Sequence, residues 1–196
     1  MKSQVILVDA AYIDYAAAQL RQISGKELKR DIPKADLAQW LVCVALDSEF
    51  SGETQVVLIH DREDKVMQHF VPGSFAQEID GRAFTEPGVG EFLLACCPVE
   101  RVTTTQDLCV ESLESLLEDK EVERIAVVYD FDGRTAESRT LTKRIQKLCK
   151  KHQEAEHPKD ITLFTMSPLE GEGFAQQVLG YSLLAALGVA VRDVEE

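Results

Sequence analysis

A chain of 196 residues that is 45% hydrophobic and 28% charged is long enough to bury one core and too apolar to stay disordered. Its formal charge of −13, from 21 basic and 34 acidic side chains, repels phosphate backbones and disfavours broad nucleic-acid binding by charge alone. Apolar runs stay well below the roughly 20 residues that cross a bilayer, and residues 1–4 lead straight into a strand-like segment without signal-peptide architecture, so no membrane contact and a cytoplasmic location are expected. The five cysteines are odd in number and lack a CxxC pair, which favours buried thiols over a disulfide framework or a zinc site.

In chain order, residues 5–8 (VILV) form a short apolar run ending at Asp9, as a strand covered on both faces would. Residues 11–23 predict a helix stopped by Ser24-Gly25. A second helix is expected to start near Asp31 as N-cap with Pro33 in its first turn, burying Leu37, Trp40, Leu41, Val44 and Ala45 at helical spacing. Residues 55–59 predict a strand closed by His60-Asp61, a pair that invites an acid/base reading.

From 62 to 98, glycines and prolines punctuate the chain too often for long elements, and an inserted hairpin or loop region is expected, leading to a short apolar piece at 91–97. Its Phe70, Phe75, Phe84 and Phe92 suggest a cover over a site or a subunit contact. Regular patterning returns with a helix at 104–117 capped by Thr104 or Thr105, a strand at 124–129, and a helix at 138–151. That helix carries the main basic concentration of the chain. A strand at 160–164 and a final helix at 173–187 follow.

The alternation of strands and helices, with continuously apolar strands, predicts one α/β domain over residues 1–196. It is expected to be a three-layer α/β/α sandwich with a mostly parallel sheet, interrupted by the insert at about 62–98. Sites in such sheets form beyond the carboxyl ends of the strands, where Asp9, Asp61, Asp130 and Asp132 all fall.

The stretch IAVVYDFDGRT poses the chemical question. An extended chain puts the carboxylates of Asp130 and Asp132 on one side, able to meet one hard cation, or to shape a turn in which Gly133 takes positive φ. Locally, VVYDFDGRT is similar to the opening motif of haloacid-dehalogenase-type phosphatases, which would make Asp130 a nucleophile and Asp132 an acid/base. That motif normally sits on the first strand of its domain, whereas only the 64 residues from 133 to 196 follow here, and Arg134 interrupts the order of Gly and Thr.

A broader resemblance runs through most of the chain. VILVDAAYIDYAAAQL followed by IPKADLAQWL, then TTTQDLCVESLESLL, ERIAVVYDFDGRT and the closing ITLFTMSP and GFAQQVLGYSLLAAL resemble the layout of NYN domains in the PIN-like nuclease superfamily. The resemblance implies that Asp9, Asp107 and Asp132 are the catalytic carboxylates, with Asp130 joining them around Mg²⁺ or Mn²⁺, and Tyr12 and Arg134 lining the site. Two positions depart from the pattern. Tyr12 stands where the family has Asn, and Arg134 stands where a second aspartate is common. The leading expectation is therefore a divergent PIN/NYN-like domain without catalytic activity, acting as a binding or oligomerising module on a protein partner or a second copy of itself. The alternative is a divalent-metal-dependent ribonuclease acting on RNA.

Overall fold

The computed structural model describes residues 3–133 and 135–190. Strand β1 (Gln4–Asp9) is buried along its whole length, as its unbroken apolar run requires. Helix α1 (Ala10–Leu28) follows without a loop and passes through Ser24-Gly25 before stopping at Lys29, whose left-handed backbone lets its N–H reach the Gly25 carbonyl. The expected stop at Ser24-Gly25 fails because an interior glycine costs a helix only about 1 kcal/mol. Leu28 also packs on the core, and the missing side chain of Gly25 gives the Arg30 carbonyl room.

Helix α2 (Leu37–Asp47) begins later than Asp31 and Pro33 suggest. Its cap is Asp36, which accepts from the Gln39 N–H. The residues before it are extended because Ala35–Asp36 is a strand, β2, held by parallel pairing with β4 (Phe70–Val71). Trp40 is fully buried, as its helical spacing predicts.

Strand β3 (Gly52–Asp61) leads into the segment expected as an insert. That segment contains β4, one π-helical turn at Phe75–Ile79, β5 (Ala83–Glu86) and β6 (Gly90–Val99). The hairpin is present, but its second arm is a ten-residue strand that pairs in parallel with β3 over its whole length. Residues 90–99 are thus part of the sheet rather than an excursion from it. The pairing starts where two glycines meet, Gly52 opposite Gly90, and a Cβ on Gly90 would sit 1.8 Å from the Gly52 carbonyl oxygen.

The rest runs α3 (Thr105–Glu118), β7 (Arg124–Val128), α4 (Ala136–Gln153), β8 (Asp160–Thr165), β9 (Ala175–Val178) and α5 (Leu179–Ala186). Thr104 caps α3 and Thr135 caps α4. The final helix is shorter than the sequence suggests because Gly173 adopts φ +83°, and residues 175–178 satisfy the open backbone edge of β8 as a further parallel strand.

The sheet order is β5-β6-β3-β1-β7-β8-β9, with β5 antiparallel and the other pairings parallel. Helices α1, α2 and α5 cover one face together with Ile6 and Val8 of β1, and α3 and α4 cover the other with Val5 and Leu7. This is the expected three-layer α/β/α sandwich. The chain moves from β1 outward through β3 and β6, then returns to the other side of β1 with β7. The topological switch point, where such sheets open a crevice, therefore lies beyond the carboxyl ends of β1 and β7.

Among the described residues no helix is long and apolar enough to cross a membrane. All five cysteines are free thiols, with Cys109 and Cys149 fully buried and the other three partly so.

Candidate functional site

Asp9 ends β1 and serves at once as the N-cap of α1, accepting from the Tyr12 N–H at 3.1 Å. Only 9% of the residue is exposed. Burial pushes its carboxyl up to about 6, and the nearby charge of Asp130 adds to the rise, while the hydrogen bond from Tyr12 N–H opposes it.

Beneath Asp9, the fully buried Tyr129 donates its hydroxyl to the Cys109 carbonyl at 3.0 Å, locking α3 against the end of β7. Burial, with the Asp9 charge second, pushes the Cys109 thiol well above its ordinary value and leaves it a poor nucleophile.

Past Tyr129 the chain turns tightly. Asp130 accepts from the Asp132 N–H at 3.1 Å, and Gly133 adopts φ +67° with its carbonyl held by Arg139 at 2.8 Å. The turn aims the Asp132 carboxylate toward α1, where it accepts from the Tyr12 hydroxyl at 2.8 Å. Thus Tyr12 bridges the end of β1 and the turn after β7 at the switch point, with its N–H on Asp9 and its hydroxyl on Asp132, and Asp130 lies near enough to Asp9 to raise its carboxyl. Arg134 lies outside the described residues.

The Tyr12 bond joins the first helix to a loop 120 residues away. Tyr12→Phe is expected to cost about 1 kcal/mol, the usual worth of one such hydrogen bond. Equilibrium urea unfolding measures it, with the largest increase in amide exchange at residues 130–133. An unchanged midpoint and unchanged exchange would show that the bond contributes nothing.

Asp107 is engaged elsewhere. It occupies the first turn of α3, accepts from the Thr104 hydroxyl at 2.8 Å, and is bound by the Arg144 guanidinium of α4 at 2.7 Å. Those two partners hold its carboxyl below the usual carboxylate range. Among the described residues no three His, Cys, Asp or Glu side chains come together as a metal site would need. Of the donor set implied by the resemblance, Asp107 is paired with Arg144 and one oxygen of Asp132 accepts from Tyr12.

The remaining candidates are also placed. His60 bonds through Nδ1 to the backbone carbonyl of Asp61 at 2.8 Å, and the Asp61 carboxylate accepts from the Glu63 N–H, so the two side chains are not an acid/base dyad. The insert phenylalanines are used within the chain. Phe70 meets Trp40 edge-on at 5.9 Å, Phe75 stacks on His60 at 4.0 Å, and Phe84 stacks on Phe92 at 4.6 Å. In the basic helix, Arg144 pairs with Asp107 and Lys150 with Glu172.

Sequence reasoning overlooked Asp14, whose carboxylate accepts from the Gln68 and His69 N–H groups at 3.0 and 2.7 Å and pins the loop after β3 to α1. On the helix it reads as one more exposed acid, and no local pattern marks its role.

No curated protein and no solved structure matches this chain. One family model, described as a family of unknown function (DUF6621), matches residues 1–194. A match over nearly the whole length places the chain in that family: it is a member of DUF6621.

Proposed function

We propose that this chain is a divergent PIN/NYN-like domain whose carboxylates now serve structure, and that it works as a binding or oligomerising module rather than a nuclease. The observation that carries the reading is the Arg144 guanidinium on Asp107, which supplies in cis the positive charge that a metal ion would otherwise bring. Tyr12, standing where NYN domains have Asn, supports it by spending its hydroxyl on Asp132, and the charge of −13 argues against a phosphodiester substrate.

A specific observation keeps the ribonuclease reading as the alternative: Asp9 and Asp130 repel each other across a buried site, a cost that a divalent cation would relieve. Thermal denaturation with millimolar Mn²⁺ and with EDTA separates the two readings, since a ligand that binds the folded state alone must raise the midpoint. An unchanged midpoint, together with no cleavage of a single-stranded RNA, is the expected result. A clear rise with Mn²⁺ that is lost in Asp9→Asn would overturn it in favour of the metal-dependent ribonuclease.

A further inference from the structure

Helix α2 hands over to β3 through a tight turn. Glu49 adopts φ +56°, and the Phe50 N–H returns to the Ala45 carbonyl at 2.8 Å, which draws the Phe50 ring into the core. Two side chains from the sheet hold this turn: Gln177 of β9 donates to the Asp47 carbonyl at 3.0 Å, and Arg124 of β7 donates to the Glu49 carbonyl at 2.5 Å. Between the turn and the sheet lies a cleft of about 510 Å³. Strand alternation puts Arg124, Asp160 and Thr162 on the face that carries Ala126, Val128 and Phe164, and the register with β8 puts Ala175 and Gln177 there too. These five residues line the cleft on its sheet side, and residues 47–49 line it on the other.

Ser48 gives the cleft its first unsatisfied group. The residue is 8% exposed, and its N–H is engaged by the Val44 carbonyl at 3.1 Å. Its Oγ is shut off from solvent and has no hydrogen-bond partner, the one buried side-chain polar atom in that state among the described residues. A buried hydroxyl left unpaired costs the folded state, and a group that pairs with it removes the cost. A serine hydroxyl turns about a single bond, so a polar group entering the cleft can meet it.

The charges around Ser48 are of both signs. Arg124 has its guanidinium within 3.6 Å of the Asp160 carboxylate and on the Glu49 carbonyl, and five N–H donors are not used up by two such partners. Lys159 is turned away, donating to the Leu116 and Asp119 carbonyls. Burial raises the Asp47 carboxyl, and no neighbouring cation lowers it again. Because Arg124 bonds to the residue two past Asp47, the guanidinium and that carboxylate are near neighbours. A simple anion entering here would meet Asp47, Glu49 and Asp160, a simple cation would meet Arg124, and a neutral ligand would desolvate both charges without answering either. A molecule that carries both signs a few ångströms apart answers both.

We propose that this cleft binds a zwitterionic α-amino acid, with its carboxylate on the Arg124 guanidinium and the Ser48 hydroxyl and its ammonium facing Asp47. An apolar ligand side chain lies toward Pro158, Phe174 and Ala175, and the volume falls within the range of small-molecule sites. Arg124 and Asp160 begin their strands, so the cleft opens near the amino ends of β7 and β8, away from the switch point. It shares no residue with the site at Asp9 and Asp132, and the inference stands whether or not those carboxylates hold metal.

The test is titration of the full chain with L-leucine, L-methionine and L-phenylalanine, followed through backbone amide ¹H–¹⁵N signals. The expected result is a saturable shift, for at least one of the three, at residues 47–49, 160–162 and 175–177. The matching amine without the carboxylate, and the matching acid without the amine, should each leave those signals in place. Ser48→Ala should weaken binding about fivefold by removing one hydrogen bond, and Arg124→Gln about tenfold by removing a charged one. Arg124 also holds the turn, so Asp47→Asn, at an exposed position, serves as the second charge variant and should weaken binding about threefold. Without ligand, Ser48→Ala should melt no lower than the parent, because it deletes an unpaired buried hydroxyl. The proposal is overturned if none of the three amino acids moves these signals up to about 10 mM, a concentration at which even a weak small ligand binds. Equal shifts with the amine or the acid alone, or a Ser48→Ala variant that melts below the parent or binds as tightly, would overturn it too.

Discussion

Asp9→Asn is expected to make the protein more stable at pH 7, by about 2 kcal/mol, with a melting temperature higher by about 4–8 °C. The Asp9 carboxyl is raised from 3.8 to about 6 by burial and by Asp130, so its ionised form is held in the folded state at a cost. A rise of that size corresponds to about 3 kcal/mol at most. Asparagine caps a helix about as well as aspartate, so the bond from the Tyr12 N–H survives the exchange while the buried charge and its repulsion disappear.

The sign follows from proton counting. Between 3.8 and about 6 the folded chain binds the Asp9 proton and the unfolded chain releases it, so this group's contribution to stability is present below pH 3.8 and is lost as pH rises through about 6. The advantage of Asp9→Asn over the parent should therefore vanish near pH 4 and be complete at pH 7. Parallel melts at the two values decide the matter. A variant less stable than the parent at pH 7 would mean that the charge is compensated where it sits.

Trp40→Ala is expected to have the largest destabilising effect of any change considered, about 3–5 kcal/mol. Trp40 is wholly buried between α2 and α5, meets Phe70 edge-on, and donates its indole N–H to the Ser182 hydroxyl at 3.2 Å. Truncation opens a cavity at the point where the helical layer meets the two-stranded β2–β4 pairing, and total stability for a chain of this size is only about 5–15 kcal/mol. Trp40→Phe should cost much less because it restores most of the volume. Urea unfolding of the three proteins provides the comparison, and a loss below about 1 kcal/mol in Trp40→Ala would show that the neighbouring helices collapse to refill the space.

Both predictions rest on residues whose roles the sequence exposed to different degrees. Trp40 lies on a helical stripe with Leu37, Leu41 and Val44, and periodicity alone marks it as core. Asp9 is marked by its place at the end of an apolar run, but its proximity to Asp130 depends on β7 lying next to β1, a pairing between segments more than 100 residues apart. A separation of 37 residues likewise hid the partner of Asp107. A helix-start acid looks alike whether it faces a metal or an arginine, and Arg144 comes to it only because α3 and α4 pack on one face of the sheet.

The misplaced boundaries have a common cause. The start of α2, the start of α5 and the extent of β6 are each set by a strand pairing that local propensity cannot see: β2 with β4, β9 with β8, and β6 with β3. Backbone groups at a sheet edge seek partners regardless of the side chains nearby, so residues 175–178 enter the sheet although their pattern continues a helix.

By itself the sequence determined the class of fold, because apolar runs of strand length alternating with amphipathic helices can bury their surfaces only in layers around a parallel sheet. It also determined that acids would gather where strands end. The tertiary structure decided which acids meet and what they meet. It set Asp9 beside Asp130, gave Asp132 to Tyr12 and Asp107 to Arg144, and enclosed His60 behind a loop pinned by Asp14. Charge pairing and burial act over a few ångströms in space, and separation along the chain does not encode that distance.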